Sequence, residues 1–448
     1  MKQPLFILVL LAVTVSGAGA DSVTTRLTLK DAITMALERN SLVQAAGHSA
    51  AAARHGVRSA TSRYYPGFFF EESFAASNAP TQTFMMKLDE GRFSQNDFLI
   101  NNLNHPGTHH DFRTALTIQQ PLFDPATAPL REIAVREAEK GDLDRETVRE
   151  RTAFETFRTY LEVQKGRARL TAAGQAMEEA RENLRLAGVR SAAGTGLKSD
   201  ELRARTHLAA MESQQISAAN NLTLARMRLA LTVGLPPAGE ADAMEQITDL
   251  SPPPQVDGLL KEAGEKRSDL RRSRAEVSRT DAAVSLTRSA YLPSLGAFAS
   301  YQMNAENTPF GNDNDAWSAG ISLKWQLFDG FRRCSERDRA TAQRSAATAQ
   351  LEQTEKEVTY QIRESLLRRD EMQKRLDVSR HALQDATETV RLLNRRFENS
   401  LATMAELLDA QTALNQARSS LVESETDLAL AGGLIYYTSG TFIKESTR

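Results

Sequence analysis

Apolar positions along this chain follow two different periods. Leu351, Val358, Ile362, Leu366, Met372, Leu376, Leu383, Ala386, Val390, Leu393 and Phe397 recur at steps that sum from threes and fours. That is coiled-coil spacing. The 101 residues from Phe331 to Ala431 contain neither Gly nor Pro, and Ala, Glu, Arg, Leu and Gln dominate them. Proline is also absent from Leu130 to Leu235. Such composition predicts helices far longer than the globular norm. A helix from Phe331 to Arg396 would run roughly 100 Å at 1.5 Å per residue, more than one compact domain can contain.

Elsewhere the period is two. Tyr64 to Phe123 and Tyr291 to Phe331 hold 19 of the chain's 28 aromatic residues, including both tryptophans. Within these regions four segments alternate: 66–78, 112–123, 292–304 and 317–328. Phe68, Phe70 and Phe74 share a parity in the first, and Phe112, Leu116, Ile118 and Leu122 in the second. Leu295, Ala297, Ala299, Tyr301 and Met303 do so in the third; Trp317, Ala319, Ile321, Leu323, Trp325 and Leu327 in the fourth. Four strands with one apolar face each are predicted. The four segments carry only four charges, Glu71, Glu72, Arg113 and Lys324, although a quarter of the chain is charged. Low charge and an apolar face suit a lipid-facing barrel wall, against the plainer alternative of a sheet packed on the helices.

The chain repeats one plan twice. Tyr64-Tyr65-Pro66 corresponds to Tyr291-Leu292-Pro293, and Leu122-Phe123-Asp124 to Leu327-Phe328-Asp329. Leu202 and Ala204 match Leu408 and Ala410 at an offset of 206, and Gly234 matches Gly440 at the same offset. The first repeat covers 21–234 and the second 257–440, followed by a tail, 441–448. A proline-rich linker over 235–256 joins them. Four strands cannot close a barrel, which needs eight or more. An open sheet in lipid leaves edge backbone groups unsatisfied, each costing several kcal/mol. Lipid-facing strands therefore require several copies. Two copies give a filled lumen, and three give twelve strands around a passage.

Composition narrows the setting. Lys2, the apolar run Leu5 to Val15 and Ala18-Gly19-Ala20 read as a signal peptide over 1–20, which sends the mature chain out of the cytosol. No Cys stands at that cleavage point, so a lipid-anchored N-terminus is not expected. No later run reaches the ~18 apolar residues of a membrane helix. The net charge of −2 gives no reason to expect nucleic acid as a partner. Cys334 is the only cysteine, so no intrachain disulfide can form.

The opening Leu27-Thr-Leu-Lys-Asp-Ala32 with Ala36-Leu37 and Asn40, the paired strand entries and the Leu-Phe-Asp exits resemble the TolC family of outer-membrane efflux proteins. The resemblance covers essentially the whole mature chain. It implies a mainly α fold with a membrane β-barrel: a trimeric, twelve-stranded barrel continuous with a long α-helical coiled-coil tunnel, each chain giving two helix-strand-strand-helix repeats. The implied function is a passive exit duct of a tripartite efflux pump or type I secretion system in a Gram-negative outer membrane. Its partners would be outer-membrane lipid, a periplasmic adaptor (a membrane fusion protein) and an inner-membrane pump of RND, ABC or MFS type.

Helix breaks at Gly194-Thr195-Gly196-Leu197 and Asn399-Ser400-Leu401-Ala402 read as hairpin turns. The resemblance makes Gly194, Thr195, Gly196, Leu197, Ser400 and Leu401 adaptor contacts; the plain alternative is turns without a partner. Asp200, Glu406 and Asp409 lie just past these breaks, the last two on one helix face. The resemblance places Glu406 and Asp409 at a narrow periplasmic aperture and Asp200 in the network that holds it shut. Six acids from three chains would raise one another's pKa and attract cations. The alternative is ordinary solvated acids. Phe397 and Ala402 stand where the family has a hydrogen-bonding Tyr and an Arg, so that lock is not reproduced.

Thr81 to Asp111 reads as a long surface connection and Asn312 to Asp315 as a short hairpin turn. His105, His109, His110 and Asp111 lack the fixed spacing of a metal site. No catalytic or nucleotide motif occurs, so neither enzyme activity nor a cofactor is expected. The rival readings are a periplasmic adaptor and a structural coiled-coil envelope protein. An adaptor would carry one hairpin rather than two, and a coiled coil has no use for charge-poor alternating strands.

Overall fold

The computed structural model describes residues 24–236, 239–244 and 255–447. The signal peptide and most of the proline-rich linker lie outside them. The elements, in order, are β1 (Thr24–Leu27), α1 (Leu29–Arg39), α2 (Ser41–Thr61), β2 (Gly67–Ser77), α3 (Pro80–Asp89), α4 (Ile100–Asn104) and β3 (His109–Phe123). The long α5 (Thr127–Ala192) and α6 (Lys198–Val233) close the first repeat. Then come β4 (Glu240–Ala243), α7 (Val256–Lys266), α8 (Ser268–Ser289), β5 (Ser294–Ala305) and β6 (Asn314–Lys324). Last are α9 (Arg332–Glu398), α10 (Met404–Thr438) and α11 (Phe442–Ser446). The four long helices have 66, 36, 67 and 35 residues. None of the helices is apolar enough over a sufficient length to cross a membrane, among the described residues.

The chain divides into two compact units. One comprises 45–148 and 264–360. Its sheet has the order β2-β3-β5-β6 with every neighbour antiparallel, so the two repeats join through β3 and β5. Directly paired residues share a face of a sheet. The register pairs Phe68 with Ile118, Phe70 with Leu116, Leu116 with Tyr301, and Tyr301 with Trp317. Lower down, Ala297 meets Ile321 and Leu295 meets Leu323. The four apolar parities thus fall on one face, except that a bulge between Pro121 and Phe123 sets Phe123 instead of Leu122 opposite Leu295, and Trp317, Ile321 and Phe68 on that face are exposed. The other face is mostly polar, with Phe69 and Phe298 also on it: Thr117 Oγ1 lies 3.0 Å from Ser300 Oγ, and Arg113 donates to Gln302 Oε1 at 2.7 Å. Glu72 and Asp315 also sit on the apolar parity, toward the loop end, with Phe74 and Phe112 one step beyond Glu72.

Three expectations change here. The fourth strand ends at Lys324 rather than Phe328, because its partner begins at Ser294, just after Pro293, which has no N–H to offer. The 81–111 connection is not structureless: Pro80 opens α3 at its first turn, a Ser94/Asp97 capping box starts a 3₁₀ turn, and α4 follows. The link between β5 and β6 spans eight residues, Glu306–Asp313, with Phe310 at φ 56°, instead of a tight turn. In each repeat the Leu-Phe-Asp aspartate starts the long helix. Asp124 accepts from the Ala126 N–H and the Thr127 hydroxyl, both at 3.0 Å. Asp329 accepts from the Arg333 N–H at 3.1 Å.

The other unit comprises the described residues up to Gln44, with 149–263 and those from Gln361 on. Its largest core gathers Ile33, Ala36, Phe157, Tyr160, Leu229 and Phe442, all fully buried. Thr28 caps α1 by accepting from the Asp31 N–H at 3.1 Å, while Asn40 donates to the Thr232 carbonyl at 2.8 Å. These contacts explain why the opening motif needs those side chains. Within the segment expected to be a proline-rich linker or equatorial segment, β4 pairs in parallel with β1. Arg167 and Arg226 grip the buried Asp242 between them at 2.6 and 3.0 Å.

Candidate docking and aperture site at the hairpin ends

The two hairpin ends are built on the same offset as the rest of the repeat. Gly194 at φ 71° and Ser400 at φ 60° occupy equivalent positions and turn the chain through the left-handed region. Glycine takes that conformation without strain, whereas a serine there carries some strain. At the first end the N–H groups of Thr195 and Gly196 both donate to the Arg190 carbonyl at 3.0 Å. At the second, Leu401 N–H reaches the Arg396 carbonyl at 2.7 Å. Both patterns satisfy helix carbonyls that would otherwise be orphaned. Gly196 is needed for a different reason: a Cβ on it would stand 2.9 Å from the Arg190 Cβ.

Arg190 joins the two ends. Its guanidinium donates to the Phe397 carbonyl at 2.8 Å and to Ser400 Oγ at 2.7 Å, and it lies 4.7 Å from the Phe397 ring centroid. A cation is favoured there because the last carbonyls of α9 form the negative end of its dipole. Beneath it, Ala187, Ala204, Phe397, Met404, Leu407 and Leu408 form one buried cluster. Phe397 therefore holds the ends together by packing and through its ring face. Sequence reasoning overlooked Arg190. The only local signal was a basic residue in the last turn of a helix.

Asp200 and Glu406 are equivalent positions, each third in its helix. Glu406 forms a capping box, accepting from Thr403 N–H at 2.7 Å and Thr403 Oγ1 at 2.9 Å, while its own N–H donates back at 3.2 Å. The Thr403 backbone N–H holds the Glu406 carboxyl below the usual carboxylate range. In the single chain this runs opposite to the rise expected from crowded acids. Asp200 is half-buried at the start of α6. Asp409, one turn further along α10, lines a groove of about 520 Å³ with Arg203, Thr206 and His207 of α6. Burial lowers the His207 pKa. The structure thus places Asp409 with α6 side chains and Glu406 on its own helix start.

The N-cap positions differ between repeats. Thr403 caps α10, but Leu197 occupies the cap of α6 and offers no side-chain acceptor. Leu197 is 67% exposed and Leu401 68%. A Ser, Thr or Asp at position 197 would be worth about 1 kcal/mol to the helix. An exposed leucine there gives up stability without gaining burial. Among the described residues no cluster of three or more His, Cys, Asp or Glu is arranged to hold a metal ion.

The family model for outer membrane efflux protein matches residues 32–235 and 259–432. The chain is 23% identical to the pyoverdine export outer membrane protein OpmQ of Pseudomonas aeruginosa over 290 residues, 65% of this chain and 61% of that one. It is 22% identical to the alkaline protease secretion protein AprF of the same organism over 342 residues, 74% and 70% of the two chains. The match to the former spans less than two thirds of its length. In fold, the chain resembles the crystal structure of the Campylobacter jejuni CmeC outer membrane channel with a TM-score of 0.78. That likeness covers 94% of this chain and 89% of that one at 16% identity.

Proposed function

Because the chain belongs to the outer membrane efflux protein family, we propose that it is a passive exit duct, trimeric in the outer membrane. One observation carries this reading: a four-stranded sheet has one exposed apolar face and two unpaired edges, β2 and β6. In hydrocarbon every edge N–H and C=O needs a partner. Three copies supply one another's edges, give twelve strands, and leave a lumen lined by the polar face.

The helices support the same assembly. Leu202, Ile216, Leu224 and Leu231 on α6 stand exposed at steps of whole or near-whole heptads, as do Tyr360 and Leu367 on α9. Such stripes are unpartnered coiled-coil seams, and neighbouring copies cover them. At the hairpin ends, Gly194, Thr195, Gly196, Leu197, Ser400 and Leu401 meet a periplasmic adaptor, with Leu197 and Leu401 as its apolar anchors. Asp200, Glu406 and Asp409 line the aperture beside them. Energy and cargo choice belong to the inner-membrane pump. The relatives' names already span pyoverdine export and protease secretion.

Membrane fractionation with crosslinking tests this. The expected result is recovery with the outer membrane, as a crosslinked trimer that forms conducting pores in planar bilayers. Recovery as a soluble periplasmic monomer would overturn it.

A further inference from the structure

Where the sheet meets its long connection, titratable groups converge. Glu90, directly after α3, is 1% exposed, and its Oε1 has no hydrogen-bond partner. Its Oε2 lies 2.9 Å from His109 Nε2 on β3, and His109 Nδ1 is 3.7 Å from Glu306 Oε1 on the β5–β6 link. Arg92 pairs with Glu306 and stands 4.0 Å from Asp313. Asp111, two residues along β3, is buried and accepts from Asn304 Nδ2 at 3.0 Å. The Asp89 carbonyl accepts from Asn314 at 2.9 Å. At its start the 80–108 segment is tied to β2 by the Thr83 hydroxyl on the Ser77 carbonyl at 3.1 Å and by Ser77 Oγ donating to Gln82 Oε1 at 2.6 Å; the Glu90, Arg92 and Asp89 contacts fasten its middle.

From this geometry we propose that Glu90 and His109 form a proton-retaining latch that clasps the 80–108 segment onto the β5–β6 link and releases it as the pH rises. A buried carboxylate with a bare oxygen, facing Asp111 and Glu306, is costly as an anion. Neutral His109 already brings the ring N–H that the 2.9 Å contact uses; the titratable proton is the one that keeps the Glu90 carboxyl neutral. Arg92 cannot supply the missing charge, because it is engaged by Glu306 and Asp313. When that proton leaves the Glu90 carboxyl for water, a buried carboxylate with an unpartnered Oε1 is left facing Asp111 and Glu306, and opening hydrates it. Burial pushes the Glu90 carboxyl up. A raised folded-state value means the latch is intact below the ordinary carboxylate range and weakens as pH climbs through the raised value. The Lys87–Asp97 pair in the same segment does not interfere: its hydrogen bond to Lys87 holds Asp97 at about 2. The latch does not depend on the duct reading. If that reading holds, the latch sits at the outer mouth.

Hydrogen exchange on the full chain in lipid nanodiscs tests the proposal, comparing peptides from 80–108 at about pH 4 and about pH 8.5 after correction for intrinsic rates. Protection in the wild type should be lost progressively as the pH rises from the lower value to the higher. Glu90→Gln, neutral at both values, should keep it constant. Wild-type protection that does not change with pH overturns the latch, as does an equal fall in Glu90→Gln. If that variant does not fold, infrared titration of the wild type decides. A protonated-carboxyl band lost together with protection supports the latch, and loss of protection without such a band refutes it.

Discussion

Arg190 lies over the ring of Phe397 and at the same time donates to the carbonyl of that residue at 2.8 Å. A single side chain thus recognises both the face and the backbone of one partner, 207 positions away in sequence. Removing it with Arg190→Ala should loosen the two hairpin ends by about 2 kcal/mol, from a lost charged hydrogen bond and the stacking term. Amide exchange at 396–401 would accelerate by one to two orders of magnitude, and resting conductance in planar bilayers would rise. Arg190→Lys keeps the charge but not the fork, and should fall between the two. Unchanged exchange in Arg190→Ala would show that the packed cluster alone holds the ends.

Leu197 offers a test in which stability and binding move in opposite directions. Leu197→Asp supplies the missing N-cap of α6 and should raise helix stability by about 1 kcal/mol. The same change removes an apolar anchor, so recovery of the adaptor after crosslinking in cells should drop. Thermal unfolding and the crosslinked yield read the two effects separately. A gain in stability with undiminished yield would leave Leu197 as a turn without a partner.

The sheet register makes a parity prediction. Ile321→Lys places a charge in the middle of the apolar face and should cost about 2–4 kcal/mol if that face meets lipid. Ser322→Lys, one residue along, points to the polar face and should be tolerated. Heat-modifiable mobility of folded protein in outer-membrane fractions distinguishes them. Equal tolerance would mean that the face does not contact lipid.

Acid should weaken the contact between α5 and α8. Glu276 accepts from Arg279 at 2.6 Å and pairs with Lys140 across the helices at 2.7 Å. Hydrogen bonding to Arg279 holds its carboxyl at about 2. A lowered folded-state value contributes stability above the ordinary glutamate value of 4.5, and that stability is lost as pH falls through about 2. The site is partly solvated, so the loss is about 1 kcal/mol or less. Glu276→Gln should flatten this acid limb of a denaturation series. An unchanged slope would assign the pH dependence to other carboxylates.

Strand parity was legible because a period of two survives any context: Trp317, Ala319 and Ile321 announce a face whatever lies opposite. The long helices were legible because no Gly or Pro interrupts 101 residues. β4 was not. Glu240-Ala-Asp-Ala243 has no β-branched residue, and it is extended because β1, more than 200 positions earlier, lends it a ladder. α3 and α4 are short and polar, with caps too local to stand out from a loop. Among the candidate site residues, spacing shows only that Glu406 and Asp409 share a helix face; their place at an aperture is an implication of the resemblance. The Thr403-x-x-Glu406 capping box is itself a short sequence signature, whereas nothing in the sequence reveals that Arg190 reaches across to Phe397 and Ser400.

The seam between β3 and β5 carries a historical implication. In the proposed ring, the joint inside each chain and the joint between chains are the same kind of edge-to-edge contact. A half-length ancestor could have closed the ring with six identical copies. Fusing two halves turned six equal joints into three covalently tied and three free, and released the halves from having to match. Leu197 at the position equivalent to Thr403, and Gly194 at that equivalent to Ser400, fit such a release: one hairpin end carries an apolar knob where its counterpart carries a helix cap.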